Sequence, residues 1–178
     1  MRLRFLVFAA LVVMAVFVFL QTRSSQYQVE RAAHIAATPR AVYRHLDDLH
    51  EWQRWSPWEA LDPKLKRTFG GPARGKGATY AWEGNAQVGK GRLIISGVKP
   101  PEGLTYDVLF EQPLQAEMQY EFSVAADGDG TLLSWAFRGQ HPFWAKLFGV
   151  FFDLDKQLGA DMEKGLAELK VLIETDTP

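Results

Sequence analysis

QAEMQYEFSVAADGDGTLLSWAFRG, residues 115–139, contains two strands and the turn between them. Met118, Tyr120, Phe122 and Val124 alternate with Glu117, Gln119, Glu121 and Ser123, so period two puts an apolar row on one face and a polar row on the other. One face of this sheet is core or cavity, and the other is wet. AADGDGT supplies the reversal, since Gly and Asp tolerate the backbone angles of a tight turn. Working outward, further strand-like runs punctuated by Gly and Pro fall at 65–69, 78–83, 87–96 and 104–110, ahead of 116–124 and 131–139. Short, evenly spaced strands predict an antiparallel meander.

The flanks differ. Upstream, Val29, Arg31, Ala33 and Ile35 share one face of a half-buried strand from Gln28. Thr38-Pro39 then opens a helix, with Thr38 as N-cap and Pro39 where its missing N–H costs nothing. Val42, Tyr43, Leu46 and Leu49 make that helix amphipathic. EWQRWSPWEALDP follows, with three of the six tryptophans at 52, 55 and 58 around a Ser-Pro step, and predicts a short helix ending near Ser56 because Pro57 cannot continue it. Downstream, Leu147, Phe151, Leu154, Leu158, Met162, Leu169 and Ile173 form a helical stripe across residues 143–174. Gly149, Gly159 and Gly165 interrupt it at about 1 kcal/mol each relative to Ala, which suggests a bend or the close approach of another backbone.

Of the 178 residues, 47% are hydrophobic and 23% charged, enough for one packed domain plus an appendage. A net charge of -1 offers no basic face for nucleic acid. The absence of cysteine removes disulfides and thiolate sites. His34, His45, His50 and His141 are scattered, and the five-residue step from His45 to His50 is wrong for two zinc ligands on one helical face, so no metal and no cofactor are expected. The appendage is FLVFAALVVMAVFVFL, residues 5–20, which carries no polar side chain. As a helix it covers about 24 Å, slightly under a bilayer core of about 30 Å. A cleavable signal peptide is the alternative, but FLQTRSSQ offers no small-residue cleavage pair, so residues 1–24 are expected to be an uncleaved signal anchor and 25–178 the domain. Arg2 and Arg4 lean the positive charge to the N-terminal side, which predicts a single-pass membrane protein with an extracytoplasmic or periplasmic domain. Its oligomeric state is left open.

A strand, two small helices, six antiparallel strands and a long C-terminal helix, carried by ATPRAVYRHLDDLHEWQRWSPW, LDPKLKRTFGGPARGKGATYAWEGN, VGKGRLIIS, LLSWAFRG and LGADMEKGLAELK, resemble the START/polyketide-cyclase (SRPBCC) superfamily, in particular its polyketide cyclase/dehydrase and lipid transport group. The resemblance implies an α+β helix-grip fold, in which a curved antiparallel sheet wraps a long C-terminal helix around a cavity. It also implies that the short tryptophan helix lies at the cavity mouth. Trp52, Trp55 and Trp58 would then either rim an apolar ligand or plug the gap between helix and sheet. The expected lining is Trp52, Trp55, Trp58, Tyr80, Trp82, Phe110, Tyr120, Trp135 and Phe151.

Chemistry inside such a cavity requires a carboxylate or imidazole in a dry site with a partner. Period two turns Glu83 away from Tyr80 and Trp82, and Asp107 away from Tyr106 and Val108. Asp153, Asp155 and Asp161 lie along the long helix and read as solvated or capping groups, while Ser56 and Ser134 stand in no triad pattern. GGPARGKGA lacks the Lys-Ser/Thr of a phosphate loop. No catalytic residue is assigned. The expected function is membrane-anchored binding or transport of a hydrophobic small molecule or lipid; a cyclase/dehydrase-like enzyme and an interaction domain with a filled cavity are the alternatives. A buried carboxylate or His paired with Arg or Tyr would favour the enzyme.

Overall fold

The computed structural model describes residue 14 and residues 26–140 and 154–176. Strand β1 (Gln26–Ile35) leads into α1 (Pro39–Leu46), α2 (Trp52–Trp55) and a 3-10 turn (Glu59–Leu61). Six strands follow: β2 (Lys66–Gly70), β3 (Thr79–Glu83), β4 (Lys90–Lys99), β5 (Gly103–Gln112), β6 (Ala116–Asp127) and β7 (Gly130–Gln140). Helix α3 (Leu154–Asp176) closes the chain. β2 to β7 form the predicted meander, and β1 adds to its far edge beside β7, giving one seven-stranded antiparallel sheet in the order β1-β7-β6-β5-β4-β3-β2. The β4–β5 register shifts at Lys90/Gly91 and again at Ile95/Gly97, and such irregularities bend a sheet, here around the helices. The fold is an α+β helix grip. The apolar run at residues 5–20, apart from residue 14, lies outside the described residues, and among those no helix is long and apolar enough to cross a membrane.

Local chemistry explains the elements. The Thr38 hydroxyl accepts a bond from the Ala41 N–H at 3.3 Å, and Pro39 occupies the first turn of α1. Met118 is half-buried and Tyr120, Phe122 and Val124 are buried, whereas Glu117, Gln119 and Ser123 are exposed, so period two holds on β6. Asp127 pairs with Gly130 across a two-residue turn in which Gly128 adopts φ +59°.

On α3, Met162, Leu169 and Ile173 are fully buried and Leu158 half-buried, and Leu166 completes the row. Leu147 and Phe151 lie outside the described residues, as do Gly149 and Asp153. The two remaining helix glycines admit side chains rather than another backbone. A Cβ on Gly165 would stand 3.0 Å from the Pro57 ring and 3.1 Å from the Trp135 indole, so this glycine lets α3 sit directly on the Ser-Pro bend. Gly159 makes room for the Arg31 guanidinium of β1, which bonds Asp155 at 3.1 Å and Glu163 at 2.7 Å, one turn to either side.

At the other end of α3, Glu174 accepts the Ala36 N–H at 2.8 Å and Lys170 donates to the His34 carbonyl at 2.6 Å. The bond from Arg31 holds the Asp155 carboxyl below its usual range, and those from Ala36 and then Lys170 do the same for Glu174. Because both are lowered on folding, their contribution is fully present above ordinary carboxylate values and is lost as pH falls through the folded ones. The urea midpoint is therefore expected to fall below about pH 4, and Arg31→Met to make that decline shallower. Parallel pH profiles for the two proteins would refute this account of the clamp.

Candidate functional site

A cavity of about 190 Å³ lies between the sheet and the tryptophan segment. Its walls come from α2 and the bend after it (Trp52, Ser56, Trp58), from β3 to β7 (Tyr80, Trp82, Phe110, Tyr120) and from Leu158 of α3. The local sequence explains this arrangement. Trp52 begins a four-residue helix that Pro57 ends, and the bend turns Trp58 back over the same space. The Trp58 Nε1 donates to Asp161 of α3 at 3.3 Å, which ties the half-buried indole to the long helix. Trp82 Nε1 donates to the Val88 carbonyl at 3.0 Å, and its ring crosses Gly91 on β4, where a Cβ would come within 2.5 Å of it. Only glycine leaves that space.

Six of the nine expected lining residues border the cavity: Trp52, Trp58, Tyr80, Trp82, Phe110 and Tyr120. Trp55 and Trp135 do not. Trp55 is 1% exposed, its ring 5.6 Å from that of Trp135 and 6.2 Å from that of Phe122, so it belongs to the core behind the cavity wall. Their indole Nε1 atoms, and the Ser56 hydroxyl, are buried with no hydrogen-bond partner among the described residues. Phe151 lies outside the described residues. The segment thus supplies both cavity wall and core: Trp52, 4% exposed and 4.6 Å from Trp55 between ring centres, joins the two.

The polar feature that sequence reasoning missed is Glu59. Its side chain is 8% exposed and borders the cavity. Tyr80 donates its hydroxyl proton to Oε1, while Arg67 bonds Oε2 through Nε at 2.8 Å and Nη2 at 2.6 Å. Burial, and then the bond to Glu59, push the Tyr80 phenol well above its usual range, so it remains protonated and a donor. Burial likewise raises the Tyr120 phenol. A signal for this cluster existed in the sequence: period two places Arg67 on the same face as Leu65 and Phe69, an inward charge that needs a partner.

Glu83 and Asp107 turn away from the cavity as side-chain alternation predicts, and Asp155 is exposed, but Asp161 is half-buried against Trp58 and is neither solvated nor a cap. Glu83 is exposed and pairs with Lys66 at 3.3 Å, Asp107 accepts from Gln119 at 3.0 Å, and Asp155 and Asp161 are spent on Arg31 and Trp58. His45 and His50 pair separately with Glu51 and Asp48, each at 3.1 Å, and among the described residues no three potential ligands converge on a metal position. The GGPARGKGA loop is pinned to the end of α1, with Arg74 at 3.3 Å from Asp47 and 3.0 Å from Asp48.

Comparison with known proteins adds a family match and a set of similar folds. The family model described as polyketide cyclase / dehydrase and lipid transport matches residues 26–174. No curated protein matches the chain. Among solved structures, protein CV1439 from Chromobacterium violaceum is 19% identical, with 84% of this chain and 97% of that one covered at a TM-score of 0.58. A Mycobacterium smegmatis protein, Ms6760, is 15% identical, with 84% and 92% covered at 0.57. DynU16, a protein of the dynemicin biosynthetic locus, is 17% identical and also scores 0.57, with 85% of this chain but 48% of that one covered. At these identities the likeness is one of fold.

Proposed function

Because the chain belongs to the polyketide cyclase / dehydrase and lipid transport family, we propose that its domain binds a hydrophobic small molecule or lipid in the cavity between sheet and helices. The carrying observation is the cavity itself: about 190 Å³, walled mainly by aromatic rings. Its size limits what fits. A dry cavity of about 150 Å³ holds one benzene ring, and sites for drug-sized ligands start near 300 Å³, so the enclosed part of the ligand is about one or two rings, or an acyl segment of similar bulk. Residues 5–20 would hold the domain at the outer face of a membrane, where such ligands partition. Resistance of the full-length protein to carbonate extraction would support that anchor; a mature chain starting near Ser24 or Ser25 would refute it.

Naphthalene, which has no polar group, is the simplest probe of the cavity. It is expected to change tryptophan emission saturably. Trp58→Ala should weaken its binding about tenfold, the worth of part of an aromatic wall, while the domain stays folded because Trp58 is only half-buried. A non-saturable response of the folded wild-type protein would remove the binding reading and leave the interaction-domain alternative.

One observation favours chemistry of the cyclase/dehydrase kind: the Glu59–Arg67–Tyr80 cluster is the paired, buried carboxylate that the enzyme alternative requires. It weighs less than the cavity, because both carboxylate oxygens already accept protein donors and the phenol spends its proton on Glu59. A general base needs a carboxylate free to take up a proton, and the Arg67 cation holds this one as the anion.

A further inference from the structure

We propose that the cavity selects for a neutral hydroxyl on its apolar ligand and against a carboxylate on the same skeleton; this rests on the binding role proposed above. Among the described residues on the wall, Glu59 is the one charged side chain. Arg67, its counter-ion, does not border the cavity and meets Oε2 from the sheet edge on β2. Tyr80 does border it, but its proton points to Oε1. A ligand at this end of the cavity therefore meets an acceptor rather than a donor: a carboxylate accepts up to about four hydrogen bonds, and Tyr80 and Arg67 supply three of them.

A hydroxyl suits that wall because it donates to Glu59. A ligand carboxylate would bring a second anion beside Glu59 in a poorly solvated site, where like charges cannot both stay ionised without cost. Arg67 offsets part of this repulsion, as it offsets part of the attraction for a cation. Gln87, an exposed neutral amide, and the protonated Tyr120 phenol, both on the wall, each donate and accept, so they do not distinguish the two.

The test is isothermal titration of the full-length protein at pH 7 with 2-naphthol and 2-naphthoate, which share a two-ring skeleton and differ in the polar group. The naphthol is expected to bind at least about tenfold tighter, the scale of one net hydrogen bond. In Glu59→Gln the gap should close to within about threefold, chiefly because naphthoate binds better. Tyr80→Phe, which frees Oε1 and keeps the anion, should retain the preference; it also serves should Glu59→Gln not fold. Equal or tighter binding of naphthoate by the wild-type protein would overturn the inference, as would a gap that survives in folded Glu59→Gln. If neither compound binds and naphthalene does not either, the binding reading itself fails; if naphthalene alone binds, that reading stands and the hydroxyl selectivity falls.

Discussion

Leu169→Asp is expected to lower the stability of the domain by at least about 4 kcal/mol, while Glu168→Ala, its neighbour in sequence, changes it by no more than about 0.5 kcal/mol. Leu169 is fully buried on the face of α3 that meets the sheet. Truncating a buried leucine costs roughly 2–5 kcal/mol in lost burial and cavity. The new carboxyl adds to this, because it finds no partner there and must either ionise unsolvated or take up a proton. Domains of this size hold about 5–15 kcal/mol in total, so the variant stands near the edge of folding. Glu168 is exposed, and its contact with Lys164 is 3.8 Å, a surface pair of little weight. With a urea slope of about 2 kcal/mol/M, the two midpoints should differ by about 2 M. Similar midpoints would mean that a different face of α3 meets the sheet.

Trp55→Ala should cost about 3–5 kcal/mol, the range for deleting a large buried aromatic. Trp55 is 1% exposed and packs edge-on against Trp52, Trp135 and Phe122. Part of its burial works against stability, because the Nε1 is without a partner among the described residues, and an unmet buried donor costs about 1–3 kcal/mol. Trp55→Phe removes that donor while keeping a ring, so it should cost well under half as much as Trp55→Ala. Naphthalene affinity should stay within about twofold of wild type in Trp55→Phe, because Trp55 does not border the cavity. Trp58→Ala should reverse the pattern, with a smaller loss of stability and weaker binding. If Trp55→Phe instead loses naphthalene while remaining folded, Trp55 belongs to the cavity wall and the division between core and lining is wrong.

This division was hidden for a geometric reason. Trp52 and Trp55 are three apart and share a face of α2, so periodicity assigns them the same surroundings. That face lies where two environments meet: Trp52 stacks at 6.2 Å on Tyr120 of the cavity wall, while Trp55 faces Phe122 one pleat further along the same strand. Glu59 escaped notice for a related reason. Its partners are 8 and 21 residues away and reach it only because β2 and β3 pair in a register that sets Arg67 opposite Trp82 and Phe69 opposite Tyr80.

Side-chain periodicity and turn chemistry were sufficient for the meander, the capped first helix, the short tryptophan helix and the buried row of α3, because each depends on residues within a few positions of one another. The alternation that turns Glu83 and Asp107 away from the cavity is local in the same sense. The cavity's volume, the split between Trp52 and Trp55, the burial of Glu59 and the glycines that admit Arg31 and the Ser-Pro bend were decided by tertiary structure. Each is set by the distance between surfaces brought together from opposite ends of the chain, and a gap of one ring's width between a curved sheet and a helix leaves no periodic trace in either element.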